Sequence, residues 1–298
     1  MRQPTESWAE RSGISLHCLE WTPEAEVVQP AILFLHGLSS NAGYWERVAE
    51  HLTHRRLVAL DQRGHGLTGR QPHSPTLPDG YAMKELVDDA AFVISELNLD
   101  TPVVVGHSWG ATVALELVGT RAGIASGLVF IDGPVQSAAN LFSWEDAQRI
   151  MQPPLPRFAK FAEAVEESKR DFEGAWADDL ESFVRARIVE DGDHLVLTLT
   201  GPVRFELLKG LYESQPDILW PAVDVPAAAL LALRSFARIS RSTDAGANRL
   251  REIAPFVEIK WFDTPHDIPL FMPGAVAAEI DKIAKLAAAN PRSEAPAG

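Results

Sequence analysis

The sequence predicts an α/β protein whose parallel sheet is covered by helices on both faces. Short β-branched runs alternate with longer segments that carry apolar residues at helical spacing, which is the pattern of repeated strand–helix units. Helices on both faces bury the strands between them, so such a sheet needs apolar strands. With 298 residues, 46% of them hydrophobic, the chain is long enough to supply a sizeable core.

The first half of the chain shows the alternation most clearly. It opens with a strand of an N-terminal hairpin, and most later strands are short and buried. The predicted strands are 13–21, 31–35, 56–60, 101–105 and 127–131, and the predicted helices are 44–52, 83–97 and 111–118.

The pattern changes between about residues 135 and 216, where charge-rich helical segments at 157–172 and 177–188 dominate and 194–200 is at most a short strand. The alternation then resumes with strands at 227–233 and 257–262 and helices at 245–253 and 274–288. A helical insertion between two strands of one sheet predicts a lid, and a separate helical domain is the alternative. We therefore expect a core of residues 1–134 and 217–290, a helical cap at 135–216 and a disordered tail at 291–298.

Composition narrows the classes of partner. The net charge of -14 argues against nucleic acid, whose phosphates need basic patches. The single cysteine, Cys18, excludes an intramolecular disulfide and fits a reducing compartment. No secretory leader and no bilayer-spanning apolar run are evident. We expect a cytoplasmic protein that acts on a small molecule, away from membranes and without a metal or cofactor. The sequence gives no indication of its oligomeric state.

The stretch GHSWG at residues 106–110 is the most informative motif. It joins the strand at 101–105 to the helix at 111–118. Gly-x-Ser-x-Gly at a strand-to-helix junction is typical of a nucleophile elbow, a sharp turn that holds the serine hydroxyl above the sheet. Gly106 and Gly110 are expected because side chains there would collide with the neighbouring helix and strand.

Four motifs together resemble the α/β-hydrolase superfamily in its capped, single-domain serine hydrolase branch. They are, in the family's order, HG at 36–37, DQRGHG at 61–66, the serine elbow at 106–110 and TPHDIP at 264–269. Each follows a predicted strand, and the resemblance extends from about residue 12 to residue 288. It implies an eight-stranded, mostly parallel sheet flanked by helices, with a helical cap inserted between two strands.

The resemblance assigns chemistry to particular residues. Ser108 is the predicted nucleophile, and it needs an adjacent base because a serine hydroxyl is barely ionised at neutral pH. His266 matches the family's last triad position, after the last strand. The oxyanion hole would consist of the backbone N–H groups of Leu38 and Trp109, which are donors aimed before the reaction begins.

The triad acid departs from the usual pattern. The strand at 227–233 is followed by RSFAR, and no carboxylate occurs until Asp244. Some family members instead carry the acid after the preceding strand of the sheet, where Asp132 stands in this chain. We expect Asp132 to orient His266 and keep Asp244, which also fits a helix N-cap, as the second choice. Asp263 and Asp267 are so close to His266 in sequence that shaping its loop is the better interpretation.

Three residues are candidates for contact with substrate: His36, His107 and Trp144. His36 lies in a motif loop that it could equally brace, His107 adjoins the serine, and Trp144 belongs to the predicted cap. The cap arginines could meet a substrate carboxylate or form a solvated face; they are Arg157, Arg185, Arg187 and Arg204.

The preferred function is a serine hydrolase that cleaves a carboxylic ester, lactone or related acyl bond of a small, partly apolar substrate. A carbon–carbon bond hydrolase or a cofactor-free oxygenase could use the same site with His266 as base. A non-catalytic ligand receptor on the same fold is the third hypothesis. Haloalkane dehalogenase and epoxide hydrolase need a carboxylate nucleophile, and Ser108 stands in its place.

Overall fold

The chain forms an eight-stranded sheet between two layers of helices. The computed structural model describes residues 3–24, 26–70, 80–133, 135–234 and 237–289, without the side chains of 70 and 237–243. The predicted disordered tail at 291–298 lies outside the described residues.

The sheet is mostly parallel, as expected. Its strands, in chain order, are β1 (Thr5–Arg11), β2 (Ile14–Trp21), β3 (Ile32–Leu35), β4 (Leu57–Leu60), β5 (Val103–His107), β6 (Gly127–Ile131), β10 (Ala227–Ala232) and β11 (Glu258–Phe262). They lie in the order β1-β2-β4-β3-β5-β6-β10-β11. The pairings β1–β2 and β2–β4 are antiparallel, and all other neighbours are parallel.

Alternate side chains of the central strands bury in two separate cores. Leu33 and Leu35 of β3 pack into one core, with α2 (Met83–Glu96) and α3 (Trp109–Thr120). Ile32 and Phe34 point to the other, with α11 (Pro273–Ala289). This arrangement follows from the period of two along a strand and explains why the strand sequences are apolar throughout.

The remaining helices lie around this frame. They are α1 (Glu46–Ala49), α4 (Trp144–Met151), α5 (Phe161–Asp171), α6 (Leu180–Ala186), α7 (Gly201–Glu213), α8 (Pro216–Leu219), α9 (Ala237–Ile253) and α10 (Ile268–Phe271). The helix expected at 44–52 is split into a 3₁₀ turn, Ala42–Trp45, and the short α1. The helix expected at 245–253 begins eight residues earlier, at Ala237.

The segment between β6 and β10 is not purely helical, so this part of the prediction was incomplete. It contains a three-stranded antiparallel sheet of β7 (Arg157–Phe158), β8 (Ile188–Asp191) and β9 (His194–Leu197), in the order β7-β9-β8. Residues 157–158 were expected to begin a helix, but the sequence PPLP before them favours extended backbone. Gly192, at φ 61°, allows the tight turn between β8 and β9.

Candidate active site

Ser108 occupies a sharp turn between β5 and α3. Its backbone lies at φ 55° and ψ -123°, in a region that non-glycine residues rarely adopt. A Cβ at Gly106 would come within 2.3 Å of the Gly110 carbonyl oxygen, and a Cβ at Gly110 within 2.3 Å of the His36 carbonyl oxygen. Both glycines are therefore required by close backbone packing, as expected for an elbow.

His266 lies within hydrogen-bond distance of the serine. It follows β11 and precedes α10, and its Nε2 is 2.8 Å from Ser108 Oγ. The two side chains are 158 residues apart in the chain, and the sheet brings them together at the carboxyl ends of β5 and β11. This contact is the geometry expected of a nucleophile and its base.

Asp132 lies within hydrogen-bond distance of the second ring nitrogen of His266. Its Oδ2 is 2.6 Å from His266 Nδ1, and its Oδ1 accepts a hydrogen bond from the backbone N–H of Ala232 at 2.9 Å. Asp132 directly follows β6, is buried and lies at φ 44°. Of the two acids considered from the sequence, this one adjoins the histidine.

Asp244, the second choice for the triad acid, is exposed at the protein surface. It lies in the middle of α9 with an exposed side chain, rather than at the start of the helix. The expectation of an N-cap at Asp244 was therefore wrong, because α9 begins at Ala237.

The His-Gly turn after β3 passes directly over the serine. A Cβ at Gly37 would lie 3.3 Å from Ser108 Cβ. The N–H of Leu38, the next residue, donates to no acceptor among the described residues. Trp109 opens α3, where N–H groups have no partner within the helix. The two N–H groups thus belong to Trp109, which follows Ser108, and to Leu38, which follows Gly37 beside it; backbone donors aimed at a reacting oxygen can stabilise negative charge there.

His36 is part of the loop framework. It is fully buried, its Nε2 accepts the backbone N–H of Gln62 at 3.1 Å, and its Nδ1 is 2.8 Å from the carbonyl oxygen of Gly37. With both ring nitrogens engaged, it joins the turn after β3 to the loop after β4. These contacts support a bracing role for His36 over the expected contact with substrate.

Asp61 holds the DQRGHG loop in place. Its buried carboxylate accepts the backbone N–H groups of Ala42 at 2.6 Å and Leu67 at 2.8 Å and contacts His17 Nδ1 at 2.8 Å. A Cβ at Gly66, which has φ 50°, would collide with this carboxylate at 2.1 Å. The DQRGHG motif thus fixes the shape of the loops that follow β3 and β4.

His107 lies beside the catalytic candidates. Its Nε2 is 3.1 Å from the His266 carbonyl oxygen, and the centroids of the two imidazole rings are 4.8 Å apart. Burial and the charge of nearby His266 lower the pKa of His107 to about 3. His107 is therefore neutral at physiological pH and donates its Nε2–H to that carbonyl.

A partly buried tyrosine–carboxylate pair adjoins this cluster and was missed by sequence reasoning. The Tyr44 ring stacks on His107 with centroids 4.9 Å apart, and its hydroxyl donates to Asp267 Oδ1 at 3.0 Å. Burial raises the pKa of Asp267. Asp267 could be suspected from its place after His266, but nothing in the sequence around Tyr44 indicates such a partner.

Two carboxylates act on His266. Burial by itself lowers the pKa of the imidazole, but the hydrogen bond from His266 to Asp132 and the charges of Asp267 and Asp132 outweigh burial. The pKa of His266 is therefore raised above its ordinary value, so the imidazolium form is stabilised.

Trp144 begins α4 and packs within the inserted segment. Its ring contacts Phe205 and Tyr212 of α7, with centroid separations of 5.6 and 5.1 Å. These contacts hold α4 against α7, which supports a packing role over the expected contact with substrate.

The four cap arginines differ in environment. Arg157 forms an exposed ion pair with Asp191, and Arg185 lies over the Phe161 ring at 3.8 Å. Arg187 and Arg204 are partly buried and donate to the hydroxyls of Ser168 and Ser39, each at 3.0 Å. Of the four arginines, only Arg187 and Arg204 are partly removed from solvent.

Within the ranges that the structure describes, no group of three or more His, Cys, Asp or Glu side chains could hold a metal ion. None of the described helices is long and apolar enough to cross a membrane.

The model of the alpha/beta hydrolase fold family matches residues 30–179, and the chain belongs to this family. Lipase LipV of Mycobacterium tuberculosis is 27% identical over 276 residues, which are 90% of this chain and 97% of the lipase. A more local match is Epoxide hydrolase 1 of Caenorhabditis elegans, 37% identical over 87 residues, or 29% of this chain and 20% of that protein.

Solved structures agree on the fold. The thioesterase domain from the curacin biosynthetic pathway superposes with a TM-score of 0.75 at 18% identity, covering 93% of this chain and 99% of that domain. The protein is thus a hydrolase of the α/β hydrolase fold.

Proposed function

We propose that the protein is a serine hydrolase that cleaves a carboxylic ester, lactone or related acyl bond of a small, partly apolar substrate. The observation that carries this proposal is the continuous hydrogen-bonded chain from Ser108 Oγ through His266 to Asp132, with contacts of 2.8 and 2.6 Å. A serine at a strained elbow, a base and an orienting carboxylate form the arrangement that makes an unactivated hydroxyl nucleophilic.

In the proposed reaction, Ser108 Oγ attacks the acyl carbon and His266 Nε2 takes its proton. The N–H groups of Leu38 and Trp109 stabilise the oxyanion of the tetrahedral intermediate. His266 then gives the proton to the leaving oxygen, the carbon–oxygen bond breaks, and an acyl-enzyme remains. A water molecule repeats the sequence, transferring its proton to His266, and releases the acid and free Ser108.

The other residues have supporting roles in this proposal. Asp132 keeps the proton on Nδ1 of His266, so that Nε2 is the basic nitrogen. His107 lies beside the base, so among the three candidates for contact with substrate it is a better candidate for lining the site than His36 or Trp144. The inserted segment, 135–216, would cover the site as a cap on the core of 1–134 and 217–290.

The relatives bear on the reaction class. The lipase that matches nearly the whole chain supports ester chemistry. The epoxide hydrolase match is local, and an epoxide hydrolase needs a carboxylate nucleophile where this chain has Ser108. This substitution disfavours epoxide opening.

Stopped-flow hydrolysis of p-nitrophenyl acetate tests the proposal. A serine hydrolase releases a burst of nitrophenol of about one equivalent per site, together with an acetyl mass increment that Ser108→Ala abolishes. A receptor would show neither burst nor turnover. An oxygenase or carbon–carbon bond hydrolase would lack the burst, and the oxygenase would consume oxygen with a heteroaromatic substrate. Retention of more than a few per cent of esterase activity by Ser108→Ala would exclude this nucleophile.

A further inference from the structure

Arg204 reaches from the inserted segment to the loop beside the oxyanion donors. It lies in the first turn of α7, its Nη1 donates to Ser39 Oγ at 3.0 Å, and its Nε donates to the Met151 carbonyl oxygen at 2.9 Å. Ser39 directly follows Leu38, and its backbone N–H donates to His65 Nε2 at 3.1 Å. The guanidinium is therefore linked to the His-Gly turn over Ser108.

The charge of Arg204 is not balanced by the protein within the described residues. Its two acceptors are a hydroxyl and a carbonyl oxygen, and no described carboxylate lies within ion-pair distance. Five other arginines with little exposed side chain each pair with an aspartate or glutamate: Arg11, Arg47, Arg55, Arg56 and Arg63. Arg187 has no ion pair among the described residues either, but it has carboxylates in its surroundings. Burial alone lowers the pKa of Arg204, whereas nearby carboxylates oppose burial at Arg187. A desolvated cation without an anion is costly and is rarely kept for stability alone.

The guanidinium also retains unused donors. Of its five N–H groups, Nε and one of Nη1 donate to described acceptors, whereas Nη2 donates to none. Arginine presents its donors in a planar fork that matches a carboxylate, which makes the pair both strong and directional.

Two relations connect Arg204 to the residues around the nucleophile. Ser39 follows Gly37 by two residues, so their Cα atoms are at most about 7 Å apart, and a Cβ at Gly37 would lie 3.3 Å from Ser108 Cβ. Burial and the charge of His36 lower the pKa of His65, and the charge of Arg204 adds to this effect. The His65 ring lies 5.3 Å from that of Trp109. Both relations place the Arg204 guanidinium on the same side of the site as the proposed oxyanion donors, the Leu38 and Trp109 N–H groups.

We propose that Arg204 binds a carboxylate of the substrate, so that the substrates are small acyl compounds that carry a free carboxylate several atoms from the scissile bond. This inference rests on the proposed acyl hydrolysis at Ser108. A chain with a net charge of -14 repels anions at long range, so an acidic substrate requires a local cation such as this one.

The test compares monomethyl adipate with dimethyl adipate by methanol release. The far end is a carboxylate in the first ester and its methyl ester in the second, and kcat/KM of the diester is halved because it has two equivalent scissile bonds. The quantity measured is the ratio of their kcat/KM values, acidic over neutral. The wild-type protein is expected to favour the acidic ester, and Arg204→Gln is expected to lower the ratio about tenfold to hundredfold, the worth of a charge-assisted hydrogen bond. Arg204→Lys, which keeps the charge, should retain part of the preference.

Arg149→Gln is the matched control. Arg149 is an exposed residue of α4 that pairs with Asp146, so the substitution makes the same change in net charge in the same segment. Its ratio should equal that of the wild type. A wild type without preference for the acidic ester, or an equal loss on both esters in Arg204→Gln, would overturn the proposal and leave Arg204 as a structural tie. If Arg204→Gln does not fold, the preference of the wild type and its partial retention in Arg204→Lys decide the matter.

Binding separates this proposal from the proposed function. Titration calorimetry with monomethyl adipate in the Ser108→Ala background needs no turnover, and affinity should fall when Arg204→Gln is added. If that dependence holds but the wild type hydrolyses neither ester, the carboxylate site stands and the proposed hydrolysis fails. If both esters are cleaved through Ser108 without dependence on Arg204, only the carboxylate site is overturned.

Discussion

Replacement of Asp132 by asparagine should disable the enzyme through the tautomer of His266. Two contacts orient the carboxylate: Oδ1 accepts the Ala232 N–H at 2.9 Å, and Oδ2 faces His266 Nδ1 at 2.6 Å. In Asp132→Asn, the amide oxygen must stay toward the Ala232 N–H, because the alternative sets two donors against each other. The amide NH₂ then points at Nδ1.

An NH₂ group facing Nδ1 requires that nitrogen to accept, which moves the imidazole proton to Nε2. A protonated Nε2 cannot take the proton of Ser108, and the imidazolium formed in the transition state loses its counter-charge. The amide replacement of a triad acid costs about ten-thousand-fold in kcat, or about 5.5 kcal/mol of barrier. We expect a loss of that order here, with Ser108 and His266 still in place.

The assay is kcat for p-nitrophenyl acetate, with circular dichroism and thermal unfolding to verify the fold. Asp244→Asn is the matched control, since Asp244 is exposed on α9 and has no hydrogen bond to His266 among the described residues. It should keep normal kcat and stability. A folded Asp244→Asn without activity, beside an active Asp132→Asn, would refute the assignment of the acid.

Three further predictions concern titration and stability. His266 must be neutral to act as base, and its pKa is raised above 6.5, the ordinary histidine value. We therefore expect kcat/KM to fall with decreasing pH through a midpoint above 6.5. A flat profile between about pH 5 and 8 would contradict this. Asp267→Asn removes a charge that raises the pKa of His266 and should move that midpoint to lower pH, whereas an unchanged or higher midpoint would show that the charge does not reach the imidazole. Asp281→Asn should lower the free energy of unfolding in urea by about 2 kcal/mol, because it leaves the buried Arg55 guanidinium without its carboxylate at 2.9 Å. Burial opposes ionisation of Asp281, but hydrogen bonds from Lys285, His54 and Arg55 outweigh burial and hold its pKa well below the normal value. The stability that ionised Asp281 contributes is therefore present above the unfolded pKa near 4 and is lost as pH falls. Equal acid sensitivity of the variant and the wild type would argue against this contribution.

The sequence predicts the elements that bear the site with good accuracy. Strands β3, β5, β6 and β10 begin and end within two residues of expectation, because both faces of each are buried and the sequence must be apolar throughout. The elbow at 106–110 is recognisable because backbone packing leaves room only for glycine at its two ends. The choice of Asp132 as the expected acid rested on the family resemblance, because 234–238 offers no carboxylate after β10, and its contact with His266 supports that choice.

Tertiary contacts account for what was missed. Strand β7 has two residues and forms only because it pairs with β9, whereas the adjoining 161–171 is a genuine helix, so the helical pattern extended over both. The β8–β9 hairpin did carry a sequence signal in Gly192-Asp193 between two short apolar runs. The contact of Tyr44 with Asp267 spans 223 residues, and no local pattern records it.

A structure after reaction with a p-nitrophenyl phosphonate ester tests directly whether Ser108 is the nucleophile, since such a group mimics the tetrahedral intermediate. We expect a covalent bond from Ser108 Oγ to phosphorus, a phosphonyl oxygen within hydrogen-bond distance of the Leu38 and Trp109 N–H groups, and His266 between the adduct and Asp132. Phosphonylation of another residue, or full activity after Ser108 has been modified, would contradict it.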